Sequence, residues 1–232
     1  MMPESKSAWR EWLLAAYLRH KYCQRFYSIR VGGFSGWGDW LMSDEPFPLV
    51  LYGSHQTWWD GLMDFSLTRR FQMDQRLMMD AQNLAKFSFF QRCGVFGVTL
   101  DSQRDRAEGL LHAVSLLREP SERRCLIIYP QGRLSADWEE APFEGGLEAI
   151  LKRAPEATAL PVWRHFHHGK HELPEVGIQL GAPIPGSEQP TTQVLENALN
   201  VTKMALFERL KSDAGGDALY LSKRVKALRG ET

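Results

Sequence analysis

Five short apolar runs, largely alternating with stretches of helical spacing, constrain this chain more than any other feature. They are "FPLVLYGSH" (47–55), "VFGVTL" (95–100), "RCLIIYPQG" (124–132), "ALPVW" (159–163) and "VGIQLGAPI" (176–184). Residues 58–71, 84–94, 106–119, 142–154 and 191–211 read as helices, with Gly94 and Pro120 as stops. Continuous apolar runs suit strands buried on both faces, which need helices on either side to cover them. The alternation therefore predicts a single α/β domain, with a mostly parallel, mixed sheet flanked by helices. At roughly 150 residues per domain, 232 residues suit one large domain or one with an appendage. The expected division is an N-terminal amphipathic helix (1–30), a main domain (31–215) and a C-terminal tail (216–232), the last fifteen residues fraying.

The formal net charge is zero and the pI about 7.1, which argues against bulk nucleic-acid binding. Cys23, Cys93 and Cys125 are isolated, as expected of reduced, buried or half-buried thiols in a cytosolic protein. No apolar stretch is long enough to span a bilayer, and no signal peptide is expected. Of the eight tryptophans, Trp9, Trp12, Trp37, Trp40 and Trp58 fall before residue 59. Residues 7–29 space Trp9, Leu13, Ala16, Tyr17 and His20 helically among Arg10, Arg19, Lys21 and Arg25. Two readings stay open for that helix: packing against the body of the protein, or seating at an anionic membrane interface. "GGFSGWGDW" (32–40) reads as a turn; it lacks the spacing of a phosphate-binding loop and of a serine-hydrolase elbow.

"YGSHQTWWDGL" (52–62) carries the chemistry. Positions five apart lie about 140° apart on a helix of 3.6 residues per turn, so His55 and Asp60 cannot share one regular helix face. They can meet if His55 sits on the strand-to-helix loop and Asp60 in the first helical turn. The carboxylate then fixes the imidazole tautomer, and the other ring nitrogen is free to take a proton from a hydroxyl. This is a hydrolase triad without its nucleophile. A substrate hydroxyl supplies the missing part, which means direct acyl transfer with no covalent enzyme intermediate.

"SHQTWWD" resembles the N-H-x-S-x-x-D block of the lysophospholipid and glycerolipid acyltransferases, the 1-acylglycerol-3-phosphate acyltransferase group. Further blocks follow in that family's order. "FYSIRVGG" (26–33) resembles the segment before its first strand, and "GVFGVTLDSQR" (94–104) its strand ending in Asp-Arg. "YPQGRLS" (129–135) resembles its Phe-Pro-Glu-Gly-Thr-Arg-Ser block, and "PFEGGLEAI" (142–150) its Phe-x-x-Gly helix start. "LPVW" (160–163) and "IQLGAPI" (178–184) resemble its fourth block and late strand. The similarity covers roughly residues 26–210.

The resemblance implies an O-acyltransferase of phospholipid biosynthesis or related lipid metabolism, with His55 as general base and Asp60 orienting it. No cofactor is implied beyond acyl-CoA or acyl-ACP (acyl carrier protein) as co-substrate. The implied partners are that donor, a lipid acceptor and a membrane surface, with no nucleic acid. The implied location is cytoplasmic, peripheral to the inner face of the membrane. Four departures bear on the acceptor. Ser54 replaces Asn, Gln131 stands where the family has Glu, Ser102 follows Asp101 with Arg104 and Arg106 displaced downstream, and Arg133 comes one position early with Leu134 in the usual Arg place. The family's arginines there are thought to hold the acceptor's phosphate, a geometrically demanding task, so a glycerol-3-phosphate-type acceptor is put in question. Gln131, Gly132, Arg133 and Arg104 are the expected substrate-binding residues, with amides around Gly132 as the oxyanion site. A lysophospholipid, glycolipid, carotenoid glycoside or aminolipid acceptor all remain open. The alternatives are a non-catalytic lipid-binding protein of the same fold and an acyl-thioester hydrolase. "RHFHHGKH" (164–171) holds four histidines, but Arg164 and Lys170 among them disfavour a metal. An exposed basic loop touching an anionic headgroup is expected there.

Overall fold

The computed structural model describes residues 1–34, 48–99, 101–119, 123–136, 139, 141–212 and 219–223. Its strands are β1 (Ser28–Gly32), β2 (Leu49–Gly53), β3 (Asp74–Asp80), β4 (Val95–Val98), β5 (Arg124–Ile128), β6 (Thr158–His167), β7 (Glu175–Leu180), β8 (Ile184–Pro185) and β9 (Leu219–Lys223). Its helices are α1 (Ala8–Arg25), α2 (Trp59–Arg70), α3 (Ala81–Lys86), α4 (Gln103–Arg118), α5 (Gly146–Arg153) and α6 (Thr192–Lys211), with 3₁₀ turns at Ser88–Cys93 and Gly186–Glu188.

Among the described residues the strands form one sheet in the order β4-β3-β5-β2-β6-β7-β1-β9, with β8 paired to β6. From β4 to β6 every pairing is parallel. The direction reverses between β6 and β7, β1 runs parallel to β7, and β9 is antiparallel to β1. The sheet is mostly parallel and mixed, as the alternation predicts. Side-chain alternation along each buried strand feeds two cores, one per face. Leu49 and Leu51 of β2, with Cys125 and Ile127 of β5, face Leu18, Met63 and Leu84 from α1, α2 and α3. Val50, Tyr52, Leu126 and Ile128 face Val114, Leu147 and Leu199 from α4, α5 and α6.

Several strands were not readable. β3 (DQRLMMD) begins and ends in charge and has no β-branched residue, and its burial is only partial. β1 is a strand in its own right rather than a lead-in, and Leu219–Lys223, placed in the expected tail, pairs with it. Gly94 does end the helical segment: its φ is +87°, and a Cβ there would lie 2.7 Å from the Gln75 carbonyl oxygen. Most of the glycine-rich stretch at 32–40, with Trp37 and Trp40, lies outside the described residues.

The N-terminal region is firmly attached. Met2 exchanges both backbone bonds with Gly97 (2.9 and 2.8 Å), and Ser5 and Ser7 donate to the Gln91 and Arg92 carbonyls (3.0 and 2.9 Å). Lys6 pairs with Asp74 at 2.7 Å, and Glu4 with Arg76 and His112 at 3.3 and 3.0 Å. Helix α1 then packs on the body through Leu14, Leu18 and Tyr22, while Trp9 and Trp12 stand 62% and 63% exposed, beside exposed Leu13 and Tyr17. One face meets the core, as the packing reading expects, and the other carries the exposed aromatics. No helix among the described residues is long and apolar enough to cross a membrane.

Candidate active site

His55 and Asp60 meet as the spacing requires. β2 ends at Gly53, residues 54–57 turn, and Asp60 occupies the start of α2. Asp60 Oδ2 lies 3.2 Å from His55 Nδ1 and accepts the Gln56 and Thr57 amides, each at 2.7 Å. Its Oδ1 accepts the Thr57 hydroxyl at 3.2 Å, and Thr57 Oγ1 in turn accepts the Trp59 amide at 3.1 Å. The carboxylate thus closes the loop it serves. The buried Ser54 hydroxyl has no partner among the described residues, and Thr57 and Asp60 take the helix-start amides. Burial raises the Asp60 pKa, but the His55 bond, the Arg164 charge and the two amides outweigh it, so the pKa is lowered and the group is ionised. An ionised acceptor at Nδ1 leaves the proton on that nitrogen and makes Nε2 the basic one. Nε2 has no partner among the described residues.

Tyr129 supports the imidazole, and Asp64 and Arg164 support Tyr129 and the loop in turn. The Tyr129 ring stacks on it, centroids 4.4 Å apart and planes within 12°. The Tyr129 hydroxyl donates to Asp64 Oδ2 at 2.7 Å, and the other Asp64 oxygen pairs with Arg164, both side chains being wholly buried. Arg164 also donates to the Ser54 carbonyl at 3.4 Å. Burial opposes the guanidinium charge, but the Asp64 carboxylate more than offsets it, and the Arg164 pKa is raised. Burial and Asp64 likewise push the Tyr129 hydroxyl well up, so it stays a donor.

The 129–135 segment clamps the His55 backbone from the other side. The Gln131 side-chain carbonyl accepts the His55 amide at 3.3 Å, and the Ser135 amide donates to the His55 carbonyl at 2.7 Å. Gln131 is therefore a brace for His55. The Gly132 amide is used in a turn to the Tyr129 carbonyl at 3.0 Å, so it is not itself available to an oxyanion. The next two amides, of Arg133 and Leu134, have no acceptor among the described residues. Arg133 lines the cavity described below, with its guanidinium paired to Glu139 at 2.6 Å. Arg104 is not brought to the site. It is 87% exposed on α4 and pairs with Glu108, because its helix starts past the β4 end with that residue on the solvent side.

His55 lines a cavity of about 590 Å³, within the roughly 300–1,000 Å³ usual for ligand sites. Its walls are mostly apolar, with Leu62 and Phe65 from α2, Leu77 and Met79 from β3, and Phe90 and Val95, while Gln75, Asp80, Asn83 and Arg133 also line it. At the mouth, Trp58 and Leu134 are 48% and 55% exposed, and the Trp58 ring packs on exposed Phe87 at 4.8 Å.

The histidine-rich segment departs from expectation. Residues 164–167 continue β6, so Arg164 is in the core, and only 168–171 form a loop. His165 and His167 stack at 5.8 Å, and among the described residues no cluster could hold a metal. Tyr129, Asp64 and Arg164 escaped the sequence reading. Asp64 stands one turn after Asp60 in an otherwise apolar stretch, and an arginine inside an apolar strand run was the available signal for its partner. Cys93 and Cys125 are buried, as expected, whereas Cys23 is exposed.

No family model and no curated protein sequence matches the chain. Among solved structures it is similar to the crystal structure of the 1-acyl-sn-glycerophosphate (LPA) acyltransferase PlsC from Thermotoga maritima. The TM-score is 0.57 and the identity 16%, over 87% of this chain and 80% of that one. At that identity the likeness is one of fold.

Proposed function

We propose that the chain is an O-acyltransferase, moving a fatty acyl group from a CoA or acyl-carrier-protein thioester to a lipid hydroxyl. The observation that carries this reading is a His–Asp pair whose histidine lines a largely apolar cavity, with no serine, threonine or cysteine side chain bonded to His55 among the described residues. His55 Nε2 takes the proton of the acceptor hydroxyl as its oxygen attacks the thioester carbonyl. Asp60 stabilises the imidazolium that forms. The Arg133 and Leu134 amides are the oxyanion donors. Collapse of the tetrahedral intermediate breaks the C–S bond, and the imidazolium returns its proton to the leaving thiolate. The acyl chain occupies the cavity, where each buried methylene contributes about 0.8 kcal/mol. The fold shared with a lipid acyltransferase is consistent with this assignment and does not carry it alone.

The acceptor is a neutral or glycosidic lipid hydroxyl. In support, Arg104 faces solvent, Gln131 is engaged with the His55 backbone, and Arg133 is engaged with Glu139. The protein reaches its acceptor from the cytoplasmic face of a membrane, seated through Trp9, Trp12 and Tyr17 on α1 with the aromatic rim at Trp58 and Phe87. Thiol release from acyl-CoA, measured with a panel of lipid hydroxyls, tests the reading. Acceptor-dependent release, lost in a folded His55→Ala protein, supports it. Release equal without any lipid makes the protein a thioester hydrolase, and no release with bound lipid makes it a carrier.

A further inference from the structure

Arg164 and Asp64 carry opposite charges with no exposed surface, and neither lines the cavity. The chain makes room for them beside the base. Gly53 of β2 pairs with Val162 of β6, and two residues past each stand His55 and Arg164. A Cβ at Gly53 would lie 2.4 Å from the Val162 carbonyl oxygen and 3.0 Å from Arg164 Nη1, so glycine there leaves space for the guanidinium. The guanidinium meets Asp64 Oδ1, the Ser54 carbonyl at 3.4 Å and the face of Tyr129, 5.9 Å from the ring centroid. The other Asp64 oxygen takes the Tyr129 hydroxyl at 2.7 Å.

Stability alone does not account for an ion pair this deep. Desolvating both charges offsets most of their attraction, and packed apolar residues of similar volume often do as well or better. Arg164 Nε is also left without a partner among the described residues. What the pair does is fix positions. It holds Ser54, the residue before His55, by its carbonyl, and it holds Tyr129 by its hydroxyl. The bond to Asp60, at 3.2 Å, places one nitrogen of the imidazole. The stack on Tyr129, within 12° of parallel, sets the plane of the ring and with it the direction of Nε2.

We infer that Arg164, Asp64 and Tyr129 are positioning residues for acyl transfer: the buried pair anchors the Tyr129 hydroxyl, and the Tyr129 ring fixes the plane in which His55 Nε2 meets the acceptor. The inference rests on the acyl-transfer reading for the reaction, and its test separates the two. Asp64→Leu combined with Arg164→Met removes the pair as a neutral unit. Three quantities are measured on the full chain: the thermal melt, kcat and KM for thiol release from acyl-CoA with a lipid acceptor, and the His55 ring-proton NMR signal. That signal is identified by its loss in His55→Ala, and stacking on Tyr129 shifts it upfield. The double variant is expected to melt near the wild type. Its kcat is expected to fall roughly 10- to 100-fold at unchanged KM, the loss that about 1 Å of misplacement causes. Its His55 signal is expected to move toward that of a free imidazole. A merely structural pair would instead let turnover return with stability. An unshifted His55 signal in the folded double variant overturns the inference, and so does a wild-type kcat. Should that variant fail to fold, Tyr129→Phe, which keeps the ring and loses its tie to Asp64, is read by the same two criteria, with an expected fall in kcat of about three- to tenfold. A displaced signal in a protein that turns over no thioester with any lipid upholds the positioning and overturns the acyl-transfer reading.

Discussion

Replacing Asp60 by Asn separates charge from geometry at the proposed base. In the wild-type loop one oxygen, Oδ2, accepts from His55 Nδ1 and from the Gln56 and Thr57 amides, while Oδ1 meets only the Thr57 hydroxyl. An asparagine carbonyl in the Oδ2 place keeps all three bonds. Its NH2 then faces Thr57 Oγ1, which can accept as well as donate. The imidazole therefore keeps its tautomer, and what is lost is the negative charge 3.2 Å from Nδ1. At an effective dielectric near 20, that charge is worth roughly 5 kcal/mol to an imidazolium at this distance. At about 1.36 kcal/mol per tenfold, turnover is expected to fall by roughly 10³ to 10⁴. The two amide bonds weaken by about 1 kcal/mol each as their acceptor becomes neutral, so the variant is less stable but folded. Thiol release with acceptor, measured beside a thermal melt, reads both quantities. A folded Asp60→Asn protein within tenfold of wild-type turnover refutes the charge argument and, with it, the role of His55 as base.

Three further outcomes follow from the same contacts. Although burial raises Asp74, Lys6 and Arg76 hold its pKa at about 2, below the unfolded value. Its stabilisation is fully present above about pH 4 and is lost as pH falls toward 2; urea melts at pH 5, 3 and 2 should show this loss, and Asp74→Asn should flatten it. Arg164→Met leaves Asp64 buried without its cation and is expected to destabilise by roughly 3–5 kcal/mol, while the double variant with Asp64→Leu recovers much of that in chemical denaturation. Wild-type protein should sediment with anionic vesicles in a salt-sensitive way, and Trp9→Ser with Trp12→Ser should weaken this without moving the melting temperature, both rings being exposed.

The readable parts of the fold were the strands whose burial is complete. "LVLYG" and "RCLII" are covered on both faces, so nearly every position is apolar and the run announces itself. β3 could not be read that way, because its side chains line a cavity and its start joins an ion network. The His55–Asp60 pair was legible because its contact is local. Arg164 was misplaced for the opposite reason. A guanidinium next to histidines looks like a solvated loop unless its counter-ion is known, and Asp64 lies 100 positions away on another element. The displaced arginines Arg104 and Arg133 were visible in sequence, but their exposure was not, since it depends on which side of the turn each residue leaves.

The attachment of Met2 to Gly97 bears on how copies of this protein tolerate one another. β4 is the last strand on its side of the sheet, four residues long, all buried. An outer strand with free N–H and C=O groups is a template for strand addition by any passing chain, and apolar composition makes it more so. Met2 occupies both groups of Gly97, and Glu4 and Lys6 set charges alongside. Lifting residues 1–7 would leave the chemistry at His55 in place while uncovering Gly97 between Phe96 and Val98. The first symptom would be solution behaviour: edge-to-edge dimers, then growth with concentration, in a protein whose net charge of zero offers little repulsion to stop it.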